Sequence, residues 1–321
     1  MTYKVMALDN VDLKAIQLLQ AHPDIEIIAE GKLTRDQVLA LIPEADAIII
    51  RSATIADAEL LRAATNLKIL ARAGVGVDNV DLEVATECGI VVVNTPSGNT
   101  VSTAEHAFGL MLALARHIPE GHTSLMEGRW ARKDYMGVEL CHKTLGLVGY
   151  GRIGQAVASR ARAFEMTVIA YDPYISPDIA AKLGIQLVSL DTLLAQSDFI
   201  SLHALVTEET REIINTATIA KMKDGVCIIN AARGSLINDA DLALAIRNGK
   251  VAGAALDVFT TEPPPTDNPL IGLRGVIHTP HLAASTSDAQ VTVAVEAAGL
   301  IINGLIYHQF NNVCNPAILN A

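Results

Sequence analysis

The sequence predicts an α/β protein built from two doubly wound parallel-sheet domains. Two observations predict it. Short β-branched runs alternate with helical patterns along nearly the whole chain, the arrangement that yields parallel strands covered by helices on both faces. A glycine-patterned strand-to-helix turn then appears near residue 149 rather than near the start, so a complete α/β unit of about a hundred residues precedes it.

In the first series the strands are expected at 4–8, 25–28, 47–50, 67–70 and 90–93. The second series is expected at 144–148, 167–171, 199–202, 226–230, 253–257 and 276–278, a larger sheet. A leucine- and alanine-rich helix over 104–116 connects the two. Near the end, 289–307 is apolar but contains Glu296, Asn303 and two glycines, which predicts a packed helix with Val291, Val295, Ala298 and Ile302 inward rather than a membrane span. The predicted boundaries are 1–98 plus 290–321 for one domain and 99–289 for the other.

Of the 321 residues, half are apolar and 18% charged, which excludes a disordered chain. The net charge of −11 argues against nucleic acid or an anionic membrane as partner, so an anionic substrate requires a local cluster of cations. Cys88, Cys141, Cys227 and Cys314 show neither a CxxC pair nor a metal-ligand spacing. Four reduced thiols, a cytoplasmic location and no metal are expected. The start, MTYKVMALDN, lacks the apolar stretch of a signal peptide and reads as a first strand.

The stretch from Thr144 to Asp172 carries the most chemistry. An apolar strand runs into GYGRIG, and a second strand ends in an acid eighteen residues after the last glycine. Gly149, Gly151 and Gly154 permit a tight turn, close approach of a pyrophosphate and close helix packing, while free amides of the following helix face the phosphates. Asp172 can accept both hydroxyls of an adenosine ribose, which selects NAD over NADP.

Downstream, Arg233 in NAARGS, Glu262 in TEPPP and His281 in TPHLAAS each lie in a loop that follows a strand of the second sheet. Loops after strand ends line the ligand crevice of open parallel sheets. A histidine that removes a hydroxyl proton, a carboxylate that fixes its tautomer and an arginine that holds a carboxylate make up the set needed to oxidise a 2-hydroxy acid. In the first sheet, Arg51 follows AIII and Arg72 follows LKILA, where two cations can clamp a phosphate at the far end of the substrate. His203 and His278 read as strand-terminal residues.

The segments RAGVGVDNVD, NTPSGNTVSTAEH, GYGRIG, INAARGSLI, GAALDVFTTEPPP and TPHLAAST resemble the D-isomer-specific 2-hydroxyacid dehydrogenases along essentially the whole chain. Within that family the likeness is strongest to the D-3-phosphoglycerate dehydrogenases of serine biosynthesis. The resemblance implies a flavodoxin-like substrate domain and a Rossmann NAD-binding domain, with Arg233, Glu262 and His281 catalytic.

It also implies cofactor contacts from Gly149, Gly151, Arg152, Ile153, Gly154, Asp172, Ala231, Ala232, Asp257, Ala283 and Ala284, with Asp257 near the carboxamide. Substrate contacts fall to Arg51, Arg72, Val75 and Gly76, and the assembly to a homodimer or tetramer. Two positions depart from the phosphoglycerate pattern: Val75, where a hydroxyl residue is common, and His203-Ala204-Leu205, where a proline is frequent at the third place. The length leaves no room for a C-terminal regulatory domain, so feedback by serine is not expected. Hydroxypyruvate or glyoxylate reduction stays open as an alternative activity, as does NADH sensing of the corepressor type.

Overall fold

The computed structural model describes residues 2–320, and the chain divides into two compact units, 1–99 with 285–321, and 100–284. In the first, β1 (Tyr3–Leu8), α1 (Leu13–Gln20), β2 (Ile25–Gly31), α2 (Arg35–Leu41), β3 (Ala47–Ile50), α3 (Ala58–Ala63), β4 (Ile69–Arg72), α4 (Leu82–Glu87) and β5 (Val91–Asn94) alternate strictly. All five strands are parallel, in the order β2-β1-β3-β4-β5, the flavodoxin-like winding.

Burial on both faces explains the continuous apolar strands. Along β3, Ala47 and Ile49 join one core cluster while Ile48 and Ile50 join the opposite one. Helix starts are capped by side chains: Asp12 accepts from Lys14 N–H, Thr34 forms a reciprocal cap with Gln37, and Asp57 and Asp81 cap α3 and α4.

The second unit opens with α5 (Thr100–Ala115) and α6 (Ile118–Met126). It continues through β6 (Thr144–Val148), α7 (Arg152–Ala163), β7 (Thr167–Tyr171), α8 (Pro177–Lys182), β8 (Gln186–Leu187), α9 (Leu190–Gln196) and β9 (Phe199–Leu202). It ends with α10 (Thr216–Ala220), β10 (Val226–Asn230), α11 (Asp239–Arg247), β11 (Val251–Leu256) and β12 (Val276–His278). The parallel sheet runs β12-β11-β10-β9-β6-β7-β8, so winding reverses between β6 and β9, where doubly wound sheets bind dinucleotides. The two-residue β8 is too short to leave a sequence pattern, and it extends the sheet beyond β7.

The chain then returns to the first unit with α12 (Ser287–Tyr307), which packs on α1 and the β3–β5 face. It is long and apolar enough to cross a membrane, yet here it covers a sheet. The expected inward face needs correction. Ala298 is buried, but Val291, Val295 and Ile302 are only partly so, and the buried stripe runs through Val293, Ala294, Ala297, Ile301 and Leu305. A helix apolar all round has no polar face to set its rotation, so close approach decides. Gly304 sits where a Cβ would come within 2.2 Å of Ile69 Cδ1.

Strand edges moved by a residue or two elsewhere. Arg72 is the last residue of β4, paired with Asn94 of β5, rather than a residue beyond it.

Candidate active site

The glycine turn joins β6 to α7. Gly149 has φ +92°, and a Cβ there would lie 2.7 Å from the His203 backbone; at Gly154 it would lie 2.5 Å from the Gly149 carbonyl oxygen. Both are therefore packing requirements of the turn. A Cβ at Gly151 would meet nothing within 4 Å, which leaves open space directly before the first turn of α7. The first amides of α7, from Arg152 and Ile153 onward, belong to the helix end whose N–H groups have no intrahelical acceptor.

At the end of β7, Asp172 is half-buried and accepts from Tyr150 N–H at 2.8 Å through Oδ2 and from Tyr174 N–H at 3.0 Å through Oδ1. Each carboxylate oxygen keeps lone-pair capacity for a ribose hydroxyl. Open space over a glycine, free helix-start amides and an oriented acid fit NAD.

Arg233, Glu262 and His281 follow β10, β11 and β12, three adjacent parallel strands, so all three belong to one edge of one sheet. The AARG turn is clamped by Asn230, which is fully buried: its Oδ1 accepts from Ala232 N–H at 3.0 Å and its Nδ2 donates to the Arg233 carbonyl at 2.9 Å. Arg233 Nη1 donates to the Ala232 carbonyl at 2.7 Å. Gly234 brings this turn onto the next loop, since a Cβ there would lie 2.0 Å from the Phe259 backbone. Ala231 is buried beside the turn.

His281 Nδ1 lies 2.7 Å from Glu262 Oε2, and Glu262 Oε1 accepts from Phe259 N–H at 3.1 Å. The carboxylate is thus held by the backbone on one oxygen and engages the imidazole with the other, which leaves Nε2 as the ring nitrogen without a bond among the described residues. His281 adopts a left-handed backbone, φ +54°, with its N–H bonded to the Asp257 carbonyl at 2.8 Å. Asp257 itself has no exposed surface. It accepts at Oδ1 from Thr279 Oγ1 at 2.5 Å and Leu282 N–H at 2.7 Å, and at Oδ2 from Ala283 N–H at 2.9 Å. Burial pushes this carboxyl up, but bonds from His106, Thr279 and the Leu282 and Ala283 amides outweigh it and hold it below its ordinary value. Ala284 follows at the end of the loop. His106 and Asn230 carry no signal that sequence spacing reveals, because their partners lie far away or along the backbone.

The two histidines read as strand-terminal are tied locally, His203 Nε2 to Ser201 Oγ at 2.8 Å and His278 Nε2 to the Leu270 carbonyl at 2.9 Å.

In the other unit, Arg51 and Arg72 stand at the carboxyl ends of the adjacent strands β3 and β4. Asp9 orients the RSAT segment, accepting from the Arg51 and Thr54 amides at 2.7 and 3.0 Å and from Thr54 Oγ1 at 2.7 Å. Asn79 Nδ2 donates to the Arg51 and Thr54 carbonyls. The Arg72 guanidinium lies over Gly74, whose φ of +149° is a backbone conformation that residues with a side chain rarely adopt. Val75 and Gly76 follow, and the Val75 carbonyl accepts from Asn94 Nδ2 at 2.6 Å.

Comparison with known proteins agrees with this geometry. Residues 108–283 match the family model described as D-isomer specific 2-hydroxyacid dehydrogenase, NAD binding domain. The chain is 49% identical over 300 residues to a D-3-phosphoglycerate dehydrogenase of Archaeoglobus fulgidus, covering 94% of this chain and 57% of that protein. It spans about half the length of the curated phosphoglycerate dehydrogenases it matches. A hydroxypyruvate reductase of Thermotoga maritima is 48% identical over 305 residues, covering 94% of this chain and 98% of that one. Among solved structures, a glyoxylate reductase from Paecilomyes thermophila matches with a TM-score of 0.86 at 30% identity, over 99% of this chain and 100% of that one. The chain therefore belongs to the D-isomer-specific 2-hydroxyacid dehydrogenase family, with NAD as the cofactor of its second unit.

Proposed function

We propose that the protein oxidises D-3-phosphoglycerate to 3-phosphohydroxypyruvate, the reaction that opens serine biosynthesis. The observation that carries this reading is the 2.7 Å contact between His281 and Glu262 on the sheet edge that also bears Arg233. NAD, when bound, would supply the acceptor for the hydride on the substrate's second carbon. His281 Nε2 takes the hydroxyl proton, and Glu262 at Nδ1 holds the tautomer and stabilises the imidazolium. Arg233 binds the substrate carboxylate and polarises the oxygen in the reverse direction. Asp172 holds the ribose, and the Arg152 and Ile153 amides hold the pyrophosphate. Arg51 and Arg72 take the phosphate of the substrate.

Hydroxypyruvate reduction is the second reading, favoured by the relative of that name that matches over nearly its full length. A kinetic panel separates the two: NADH formation from D-3-phosphoglycerate and from D-glycerate, and NADH consumption with hydroxypyruvate. A strong preference for the phosphorylated acid supports the first reading. Equal or better efficiency with the unphosphorylated pair transfers it to the second, and turnover of neither overturns both.

Assembly as a homodimer is supported by exposed apolar side chains at the end of α6 and in the segment that follows it: Met126 is 75% exposed, Trp130 83% and Met136 86%. A cytoplasmic location is supported by four cysteines in the thiol state.

A further inference from the structure

At their amino-terminal ends, opposite the edge that carries the glycine turn and Asp172, β6 and β7 bring together three side chains that no step above uses. The strands pair with Thr144 opposite Thr167. Two residues before each of these stand His142 and Glu165, so the register sets them against each other. Their backbones are joined by a bond from His142 N–H to the Glu165 carbonyl at 3.1 Å, and the next rung runs from Thr167 N–H to the Lys143 carbonyl at 3.0 Å. Both residues are left-handed, φ +61° and +59°, a conformation that is uncommon outside glycine.

Cys141 precedes His142, and its thiol is directed at Glu165 Oε2 at 3.8 Å. One ligand atom from each of Cys141, His142 and Glu165 lies within 4.8 Å of the other two. Zinc–sulfur and zinc–oxygen bonds of about 2.3 and 2.0 Å at a tetrahedral angle place ligand atoms roughly 3.5 Å apart. Rotation of exposed side chains closes the remaining gap, since His142 and Glu165 are exposed and Cys141 is half-buried. A mixed sulfur, nitrogen and oxygen set suits zinc-class ions and not magnesium or calcium, which take oxygen ligands.

We propose that Cys141, His142 and Glu165 form a binding site for a divalent cation of the zinc class, tying the bases of β6 and β7 together with water in the fourth position. On binding, the thiol proton passes to solvent and the thiolate, imidazole and carboxylate each donate one pair to the ion.

The test uses the full chain after chelator treatment, titrated with cobalt(II) as a spectroscopic probe. A near-ultraviolet thiolate-to-cobalt band saturating at a single equivalent is expected. Cys141→Ser should abolish it, while Glu165→Gln and His142→Gly should weaken binding about tenfold or more; the glycine keeps the left-handed backbone. Zinc should raise the melting temperature of the parent protein and not of the Cys141→Ser variant, and all three variants should retain the parent's dehydrogenase activity without metal. Absence of the band, its survival in Cys141→Ser through another thiol such as Cys88, or equal affinity in parent and variants would mean an adventitious ion only and overturn the proposal.

Discussion

His106 and Asp257, 151 residues apart in sequence, meet at 3.1 Å between imidazole Nε2 and carboxylate Oδ1. Thr279 Oγ1 lies 3.2 Å from the same ring nitrogen and donates to the same oxygen. Because Asp257 also receives the Leu282 and Ala283 amides, the loop that carries His281 hangs from one buried carboxylate. A helix outside the sheet, α5, thereby helps to place the proposed acid/base.

This carboxyl is held below its ordinary value, so its charged form favours the folded state. Its contribution is complete above about 3.9, the unstructured value, and is lost as pH falls through the lower folded value. Asp257→Asn should therefore be less stable than the parent near neutrality, with the difference shrinking below about pH 4. Chemical denaturation across pH measures it; parallel curves would show that the charge is not what holds the loop.

Loss of the proposed base should act on chemistry and not on cofactor. His281→Ala should lower turnover about a hundredfold or more while NADH affinity stays nearly intact. Near-normal turnover in the purified variant removes His281 from the mechanism.

The proposed ribose ligand is Asp172, whose two oxygens accept from the Tyr150 and Tyr174 amides. The parent should prefer NAD strongly over NADP, and Asp172→Ala should erode that preference by weakening NAD. Equal efficiency with both cofactors in the unmutated protein contradicts the assignment.

Replacing Arg51 or Arg72 by Ala should raise KM for phosphoglycerate roughly tenfold to a hundredfold, the loss of one charge-assisted contact. D-Glycerate should be nearly unaffected. Equal effects on both acids would make these arginines structural.

Exposed aromatic and thioether surface at the end of α6 and in the segment that follows it should govern assembly. Trp130→Glu should shift the protein from dimer to monomer in light scattering behind size-exclusion chromatography. An unchanged dimer would place the interface elsewhere.

The sequence by itself determined the two parallel sheets, the glycine turn and the loops bearing Arg233, Glu262 and His281. Buried parallel strands and phosphate-binding turns are local patterns, written in consecutive residues. Tertiary structure alone decided which groups hold those loops in place and which face of α12 is buried. His106 and Asp257 meet only because α5 packs on the sheet, Asn230 clamps the AARG turn through its buried amide, and α12 takes the rotation that lets Gly304 approach Ile69. Cys141, His142 and Glu165 likewise have no ligand spacing along the chain, because the register of β6 on β7 supplies their proximity. Such contacts depend on sheet register and helix rotation, which are set by packing over long sequence separations and leave no periodic trace in the residues themselves.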